Sequence, residues 1–200
     1  YMQCILVGTR TFYSRQGIKP SVAFHQVKRL SPCLNFGETD RYGGASIVIW
    51  TTTPWTIPAN KALAYNESLD YLLVQINDEG EFKDKKIVIA EALLESVIKD
   101  CDIKNYKTLS NFKGKDFINT VCNHPFLELG YDYDVPMLEA RFVTTEQGTG
   151  IVHCAPSHGP DDFNLCLNNG IKAIETVDAD GKYTQNVYLF EGTHIFKANP

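Results

Sequence analysis

Residues 50–60 of the sequence are Trp50-Thr51-Thr52-Thr53-Pro54-Trp55-Thr56-Ile57-Pro58-Ala59-Asn60. They follow the run Ser-Ile-Val-Ile at residues 46–49, whose β-branched side chains predict a buried strand. Pro54 and Pro58 have no N–H, and each disfavours a helical conformation of the residue before it. The segment after Thr53 is therefore predicted to be an irregular loop at the end of a rigid strand.

The side chains of this loop are polar and uncharged. The candidates for ligand contacts are Thr51, Thr52, Thr53, Trp55, Thr56 and Asn60. Hydroxyl and carboxamide groups form hydrogen bonds and an indole stacks on rings, so the segment suits a neutral ester or a sugar better than a phosphate. Composition alone leaves a second interpretation open, in which the threonines serve only β-propensity and the prolines only stiffen a connection.

A second distinctive segment covers residues 148–163, with the sequence GTGIVHCAPSHGPDDF. Its Gly-x-Gly turn lacks a third glycine and a Gly-Lys-Ser/Thr ending, which argues against a nucleoside-triphosphate loop. Residues 151–154 are predicted to form a short buried strand. Pro160 at a first helical position, with Asp161 and Asp162 in the first turn, predicts a helix to about Asn168.

Length and composition describe one globular domain. The 200 residues are 44% hydrophobic and 22% charged, and no run approaches the ~20 apolar residues of a membrane span, so a soluble protein is expected. The net charge of -5 argues against a stand-alone nucleic-acid binder, whose affinity depends on clustered Lys and Arg. The six cysteines form no Cys-x-x-Cys pair and are expected to be buried thiols in a reducing compartment.

The rest of the chain predicts many short strands and few helices. Further strands are expected at residues 21–27, 61–65, 71–76, 86–90, 106–112, 116–122, 137–144, 173–177 and 182–189. An amphipathic helix is expected at residues 91–100. This pattern predicts a mixed α/β fold, a β-barrel-like domain with a few peripheral helices.

Residues 50–60 and 148–163 resemble the two active-site peptides of the editing domain inserted into isoleucyl-tRNA synthetases. The related valyl and leucyl enzymes usually have Thr-Thr-Arg-Pro and then an acidic residue in the first peptide, so Thr53 and Trp55 favour the isoleucyl branch. The two peptides are about as far apart as in the family, and the sequence NHPF between them also matches.

The resemblance covers roughly residues 45–185, whereas residues 1–44 carry little that matches. It implies that residues 1–200 are a single editing domain excised from a longer synthetase, with a compact β-barrel decorated by helices. The adenylation signatures His-x-Gly-His and Lys-Met-Ser-Lys-Ser are absent. No cofactor is therefore expected in this domain, since ATP and magnesium serve the synthetic domain of the parent enzyme.

The function that the resemblance implies is post-transfer editing, the hydrolysis of the ester of Val-tRNA(Ile). Isoleucyl enzymes are the standard example of limited discrimination by size. One methylene group changes the binding free energy in a hydrophobic synthetic site by only ~1–3 kcal/mol, so valine enters that site and a second, smaller site must remove it. The implied partners are the 3′ CCA end of tRNA(Ile) carrying valine and the remainder of the synthetase chain. A monomer without membrane contact is expected, in a bacterial cytoplasm or an organelle.

The resemblance also implies roles for individual residues. The predicted catalytic residues are Thr52, Thr53, His153 and Asp162. The predicted substrate-binding residues are Thr51, Trp55, Thr56, Asn60 and His158. Asp162 would bind the α-ammonium of the substrate, whereas Asp161 suits a helix-dipole role. His153 would position groups more than act as a base, and water would attack the ester while hydroxyls hold the carbonyl oxygen and the ribose.

Two alternatives remain open at this point. A zinc hydrolase could use His153, His158, Asp162 and Cys166, the last three of which lie at i, i+4 and i+8, although Gly159 and Pro160 oppose a helix through His158. A non-catalytic module could instead hold an RNA 3′ end through Trp55 and the hydroxyl groups.

Overall fold

The computed structural model describes residues 21–29, 34, 44–80 and 82–197. The sequence also predicts a short strand at residues 4–7 and a loop at residues 29–44, and most of these residues lie outside this range. The strands are β1 (Ser21–Arg29), β2 (Ala45–Thr51), β3 (Ala62–Tyr65), β4 (Asp70–Ile76), β5 (Lys86–Ala90), β6 (Tyr106–Lys113), β7 (Val121–Asn123), β8 (Asp134–Glu139) and β9 (Ile151–Cys154). The α-helices are α1 (Leu94–Asp100) and α2 (Pro160–Asn168).

These strands form one sheet in the order β6-β4-β5-β2-β1-β7-β8-β3-β9. Most neighbours are antiparallel, whereas β2–β5 and β3–β8 are parallel pairs. The predicted mixed α/β class, with a large sheet and few helices, is confirmed. The predicted barrel closure is not observed within the described residues, because β6 and β9 are the two edges of the sheet and do not pair. The sheet nevertheless curls enough to bring β9 against β2.

The main core is formed by residues of the central strands together with helix α1. The aromatic rings of Tyr71 and Phe117 meet edge to face with centroids 4.9 Å apart, and both side chains are fully buried. A second, smaller cluster lies beneath α2, where Cys166 packs with Cys154 of β9 and the alanines of β3. This cluster fixes α2 against the edge of the sheet that carries β9.

Several predicted strands differ from the observed elements. Residues 116–122 were expected to be one strand, but a 3₁₀-helix covers Gly114–Phe117 and only β7 is extended. The Asp116 carboxylate accepts a hydrogen bond from the Lys113 N–H, which stabilises that helical turn. The strand predicted at residues 137–144 ends with β8 at Glu139, where the chain turns.

Residues 169–197, the part after α2 that the structure describes, form no strand longer than an isolated bridge, although residues 173–177 and 182–189 were predicted as strands on either side of an Asp180-Gly181 turn. The Asp-Gly turn is present, because the Gly181 N–H donates to the Asp178 carbonyl over 3.0 Å. Only isolated bridges follow it, one of them between Val177 and Tyr183. Side-chain hydrogen bonds therefore stabilise much of the conformation of this segment.

Among the cysteines that the structure describes, the thiol prediction holds for three and fails for one. Cys122, Cys154 and Cys166 are free and buried. Cys101 is disulfide-bonded, so the expectation that all six cysteines are thiols is wrong at that position. Within the described ranges, no helix has both the length and the apolar character that crossing a bilayer requires.

Gly150 and Gly170 provide a matched pair of substitutions. Both have positive φ, +75° and +73°, so alanine costs about 1–2 kcal/mol of backbone strain at either. A Cβ at Gly150 would lie 2.3 Å from the Cβ of Ala90, whereas a Cβ at Gly170 meets nothing within 4 Å. Overpacking adds about 1–3 kcal/mol, so Gly150→Ala is expected to lower the free energy of unfolding, measured in urea, more than Gly170→Ala. Equal losses of unfolding free energy in the two variants would contradict the close packing of Gly150 against Ala90 of β5.

Candidate functional site

The threonine-rich segment begins where β2 ends at Thr51. It forms a 3₁₀-helix over Pro54–Ala59, not the irregular loop expected from its prolines. Pro54 occupies the first turn, where its missing N–H is not needed, so proline starts this helix instead of preventing it. The Thr51 hydroxyl accepts a hydrogen bond from the Thr53 N–H over 3.1 Å and fixes the turn between strand and helix.

Distant side chains hold the carbonyl groups of this short helix. Its carbonyls cannot all find partners within six residues, so donors from other segments satisfy them. The hydrogen bonds are Tyr183 Oη to Trp55 O at 2.7 Å, His124 Nε2 to Ile57 O at 3.0 Å and Tyr133 Oη to Asn60 O at 2.8 Å. Residues 54–60 are therefore rigidly positioned relative to the sheet.

His153, on β9, joins the two distinctive sequence segments. Its Nε2 lies 2.8 Å from Thr56 Oγ1, and its Nδ1 lies 2.8 Å from Asn60 Nδ2. The Thr56 hydroxyl donates to the Thr53 carbonyl, so it accepts a hydrogen bond from the Nε2–H of His153, while the Asn60 amide donates to Nδ1. The imidazole is thus neutral, with both nitrogens occupied, and burial lowers the pKa of His153 to about 4.

Asp162 lies in the first turn of α2, facing the same region. Its Oδ2 accepts a hydrogen bond of 2.8 Å from the Ala155 N–H, which orients the carboxylate. Burial raises the pKa of Asp162, an effect that this hydrogen bond opposes. Within the described part of the chain, its second oxygen accepts no hydrogen bond and is available to a ligand. Asp161, by contrast, is exposed.

A cavity of about 370 Å³ lies between these segments. The predicted site residues that line it are Thr51, Thr52, Thr53, Thr56, His153, His158 and Asp162. Two other predicted residues, Trp55 and Asn60, do not line it and instead support its wall. Among the described residues around the cavity, Asp162 has the only charged side chain, and the Thr52 hydroxyl has no recorded partner. The cavity can therefore hold one cationic group beside an otherwise neutral polar ligand.

His158 lies in the loop between β9 and α2. Its Nε2 is 2.6 Å from the Thr176 hydroxyl, and its ring meets the Trp55 indole edge to face with centroids 4.9 Å apart. Burial lowers the pKa of His158, so the ring is neutral near pH 7. These contacts fit a wall residue of the cavity.

The zinc hypothesis finds no set of ligands in the described part of the chain, where no group of three His, Cys, Asp or Glu side chains could hold a metal ion. Helix α2 begins at Pro160, so His158 does not share a helical face with Asp162 and Cys166. Both ring nitrogens of His153 are already occupied. Burial also raises the pKa of Cys166 to about 11, which disfavours the thiolate that zinc requires.

Sequence reasoning missed several residues of the cavity. They are Trp50, Phe142, Thr144, Gln147 and the backbone of residues 148–150. The Gly-x-Gly turn was placed in the second active-site peptide, and none of its residues was named as a site residue, yet it forms part of the cavity wall. No sequence signal marked Phe142, whose large apolar side chain the structure leaves 38% exposed at the cavity.

Comparisons with known proteins identify close relatives over most of the chain. No family model matches it. The chain is 82% identical over 154 residues to the isoleucine–tRNA ligase of Pelagibacter ubique, a match that covers 77% of this chain and 17% of that protein. It is 45% identical over 159 residues to the isoleucine–tRNA ligase of Gluconobacter oxydans, covering 78% of this chain and 17% of that protein. The chain thus spans about a sixth of the length of these relatives.

Among solved structures, the fold is similar to the crystal structure of GlLeuRS-CP1. The TM-score is 0.59, the sequence identity is 15%, and the match covers 78% of each chain. At this identity the likeness shows the fold alone, which is that of the CP1 editing domains.

The buried histidines predict sensitivity to acid. Burial lowers the pKa of His124 to about 3 and of His153 to about 4, and it places the pKa of His25 well below 6.5. Protonation below pH 6.5 therefore favours the unfolded chain, and stability is lost as the pH falls toward these folded-state values. His153 alone is expected to remove about 2 kcal/mol of unfolding free energy between pH 7.5 and pH 5.

Urea denaturation at these two pH values measures this loss. His153→Gln lacks the titrating ring and is expected to lose about 2 kcal/mol less than the parent chain between them. An unchanged pH dependence in this variant would contradict the buried, neutral state of His153.

Proposed function

Because the chain is homologous to one segment of the isoleucine–tRNA ligases and has the fold of the CP1 editing domains, we propose that it hydrolyses mischarged Val-tRNA(Ile). The substrate is an ester between valine and the terminal ribose of the tRNA, with a free α-ammonium group. The reaction is post-transfer editing: water attacks the ester carbonyl, and valine and the free tRNA are released.

The observation that supports this proposal is a single carboxylate in an otherwise uncharged polar cavity. Asp162 has one oxygen oriented by the Ala155 N–H, and the second would bind the α-ammonium of valine. Hydroxyls of the threonine segment face the same cavity and would contact the ester and the ribose. Such a site matches a substrate with one positive charge and several hydroxyl and carbonyl groups.

The polar groups of the cavity suggest how the reaction proceeds. Thr52 and Thr53 would donate hydrogen bonds to the carbonyl oxygen, where negative charge develops during attack. His153 has both nitrogens occupied and would act by holding the threonine segment in place, not by taking a proton. Water is the nucleophile, so the proposal requires no cofactor and no covalent intermediate.

Selection of valine over isoleucine would follow from the size of the cavity. The 3₁₀-helix of the threonine-rich segment is fixed by hydrogen bonds from Tyr183, His124 and Tyr133. Moving this wall of the cavity outward would break those hydrogen bonds. Overpacking by one methylene costs about 1–3 kcal/mol in such a site. Valine would be accepted and isoleucine rejected.

The remaining parts of the proposal concern the context of the chain. The partners would be the 3′ CCA end of tRNA(Ile) and the rest of a synthetase chain, with this domain as a monomer. The compartment would be a bacterial cytoplasm or an organelle. ATP and magnesium would be used only by the synthetic domain of that longer protein.

Asp162→Asn and Asp161→Asn provide the test. Both substitutions remove a carboxylate from the first turn of α2, but only Asp162 lines the cavity. Leaving the α-ammonium without its charge partner is expected to cost about 3 kcal/mol, a loss of about a hundredfold in kcat/KM for Val-tRNA(Ile) deacylation. Asp161→Asn is expected to stay within about twofold of the parent chain.

Circular dichroism and urea denaturation establish that both variants are folded. Equal deacylation rates for Asp162→Asn and the parent would contradict the role of Asp162. Binding of Val-tRNA(Ile) by the parent chain without turnover would favour the non-catalytic RNA-binding module instead.

A further inference from the structure

Residues 176–184, which follow α2, contact both segments that form the cavity. The Nε2 atom of His158 lies 2.6 Å from the Thr176 hydroxyl, and the Tyr183 hydroxyl donates to the Trp55 carbonyl over 2.7 Å. His158 belongs to the loop between β9 and α2, whereas Trp55 belongs to the 3₁₀-helix of the threonine-rich segment. One short stretch of chain therefore holds a residue from each of two segments that are distant in the sequence.

This stretch is closed into a turn by its own hydrogen bonds. The Thr184 N–H donates to the Thr176 carbonyl over 3.0 Å. Inside that pair, the Asp178 N–H donates to the Lys182 carbonyl over 2.8 Å. The Asp178 carboxylate also accepts hydrogen bonds from the N–H groups of Asp180 and Lys182, which limits the conformations open to the turn. Local structure thus fixes the positions of the threonine and tyrosine hydroxyls relative to each other.

The two residues that the turn holds also contact each other. The Trp55 indole meets the His158 ring edge to face, with centroids 4.9 Å apart. Together with Thr176 and Tyr183 they form a closed circuit of contacts, which we call the clamp. The side chains of Thr176 and Tyr183 are both buried, so bulk water does not compete for their hydroxyl groups. The clamp therefore restrains the distance between the two segments that form the cavity.

We propose that Thr176 and Tyr183 are positioning residues that determine which amino acid the cavity accepts, by fixing the separation of its walls. Neither is among the described residues that line the cavity, so each acts through the residue that it holds. A wall held by one hydrogen bond fewer moves outward more easily, and a larger side chain is then tolerated. This inference rests on the proposed function, because it concerns the discrimination between valine and isoleucine.

Deacylation of Val-tRNA(Ile) and of Ile-tRNA(Ile) by the 200-residue chain tests the proposal, through the ratio of the two kcat/KM values. Tyr183→Phe removes only the hydroxyl and is expected to lower this ratio about fivefold, equivalent to about 1 kcal/mol or one hydrogen bond. Thr176→Val keeps the shape of the side chain and is expected to lower the ratio by a similar factor. In both variants the kcat/KM for Ile-tRNA(Ile) rises, whereas a general loss of stability would lower both values together.

Two further hydroxyl groups provide matched controls. Tyr131→Phe removes the hydroxyl that donates to the Tyr188 carbonyl, and Thr184→Val removes the hydroxyl that donates to the Glu175 carbonyl. Both hydrogen bonds tie residues that follow α2, but neither belongs to the clamp. Each control variant is expected to keep the ratio within about twofold of the parent chain.

The double variant of Thr176→Val and Tyr183→Phe tests whether the two hydroxyls act through one clamp. Opening a closed circuit at a second point adds little once it is open at the first. The double variant is therefore expected to lower the ratio by about the same factor as either single variant. A reduction equal to the product of the two single effects would overturn the clamp and show two independent contacts.

The other outcomes separate this inference from the proposed function. Circular dichroism and urea denaturation establish that the variants are folded. If the parent chain prefers Val-tRNA(Ile) and the ratio is unchanged in Tyr183→Phe and Thr176→Val, the positioning role is overturned and the proposed function stands. Equal deacylation of both esters by the parent chain overturns the inference, since there is then no discrimination to set. A parent chain that deacylates neither ester overturns the proposed function and this inference with it.

Discussion

The imidazole of His153 is the contact on which the site depends. It joins β9 to a segment more than ninety residues earlier in the chain, through Thr56 on one nitrogen and Asn60 on the other. Both hydrogen bonds require the neutral ring with its proton on Nε2. Burial ensures that protonation state near pH 7, so the desolvation of one side chain holds the two walls of the cavity at a fixed distance.

Electrostatics within the cavity are simple because nearly everything around Asp162 is neutral. The two histidines that line the cavity have lowered pKa values, and the other polar groups are hydroxyls and amides. A lone carboxylate in such surroundings attracts a cation without competition from an internal partner. No Lys or Arg is present among the described lining residues, and the chain as a whole has a net charge of -5. Both the cavity and the chain therefore lack the positive charge that would attract phosphates.

The sequence predicted the elements of the site whose starts are marked by a local glycine or proline. Strand β9 and helix α2 have the predicted bounds, because Gly150 and Pro160 mark their starts in a way that needs no long-range information. The prolines of the threonine segment were interpreted as breakers, although the tyrosine and histidine donors that stabilise its 3₁₀-helix come from distant segments. Trp55 was therefore expected inside the cavity, whereas its carbonyl is held by Tyr183 and its ring packs against His158. The position of Phe142 depends on where β8 ends, which sequence periodicity alone did not reveal.

The segment that follows α2 has almost no regular structure, yet two phenol groups tie it to the body of the domain. Tyr183 donates to the Trp55 carbonyl, and Tyr131 donates to the Tyr188 carbonyl over 2.7 Å. A domain boundary drawn at Asn168, the end of the last regular element, would retain every lining residue of the main cavity. It would remove Tyr183, whose hydroxyl holds the Trp55 carbonyl of the threonine-rich segment. The minimal folding unit is therefore larger than its helices and strands suggest, and loop-rich polypeptide here is as much a part of the scaffold as the sheet.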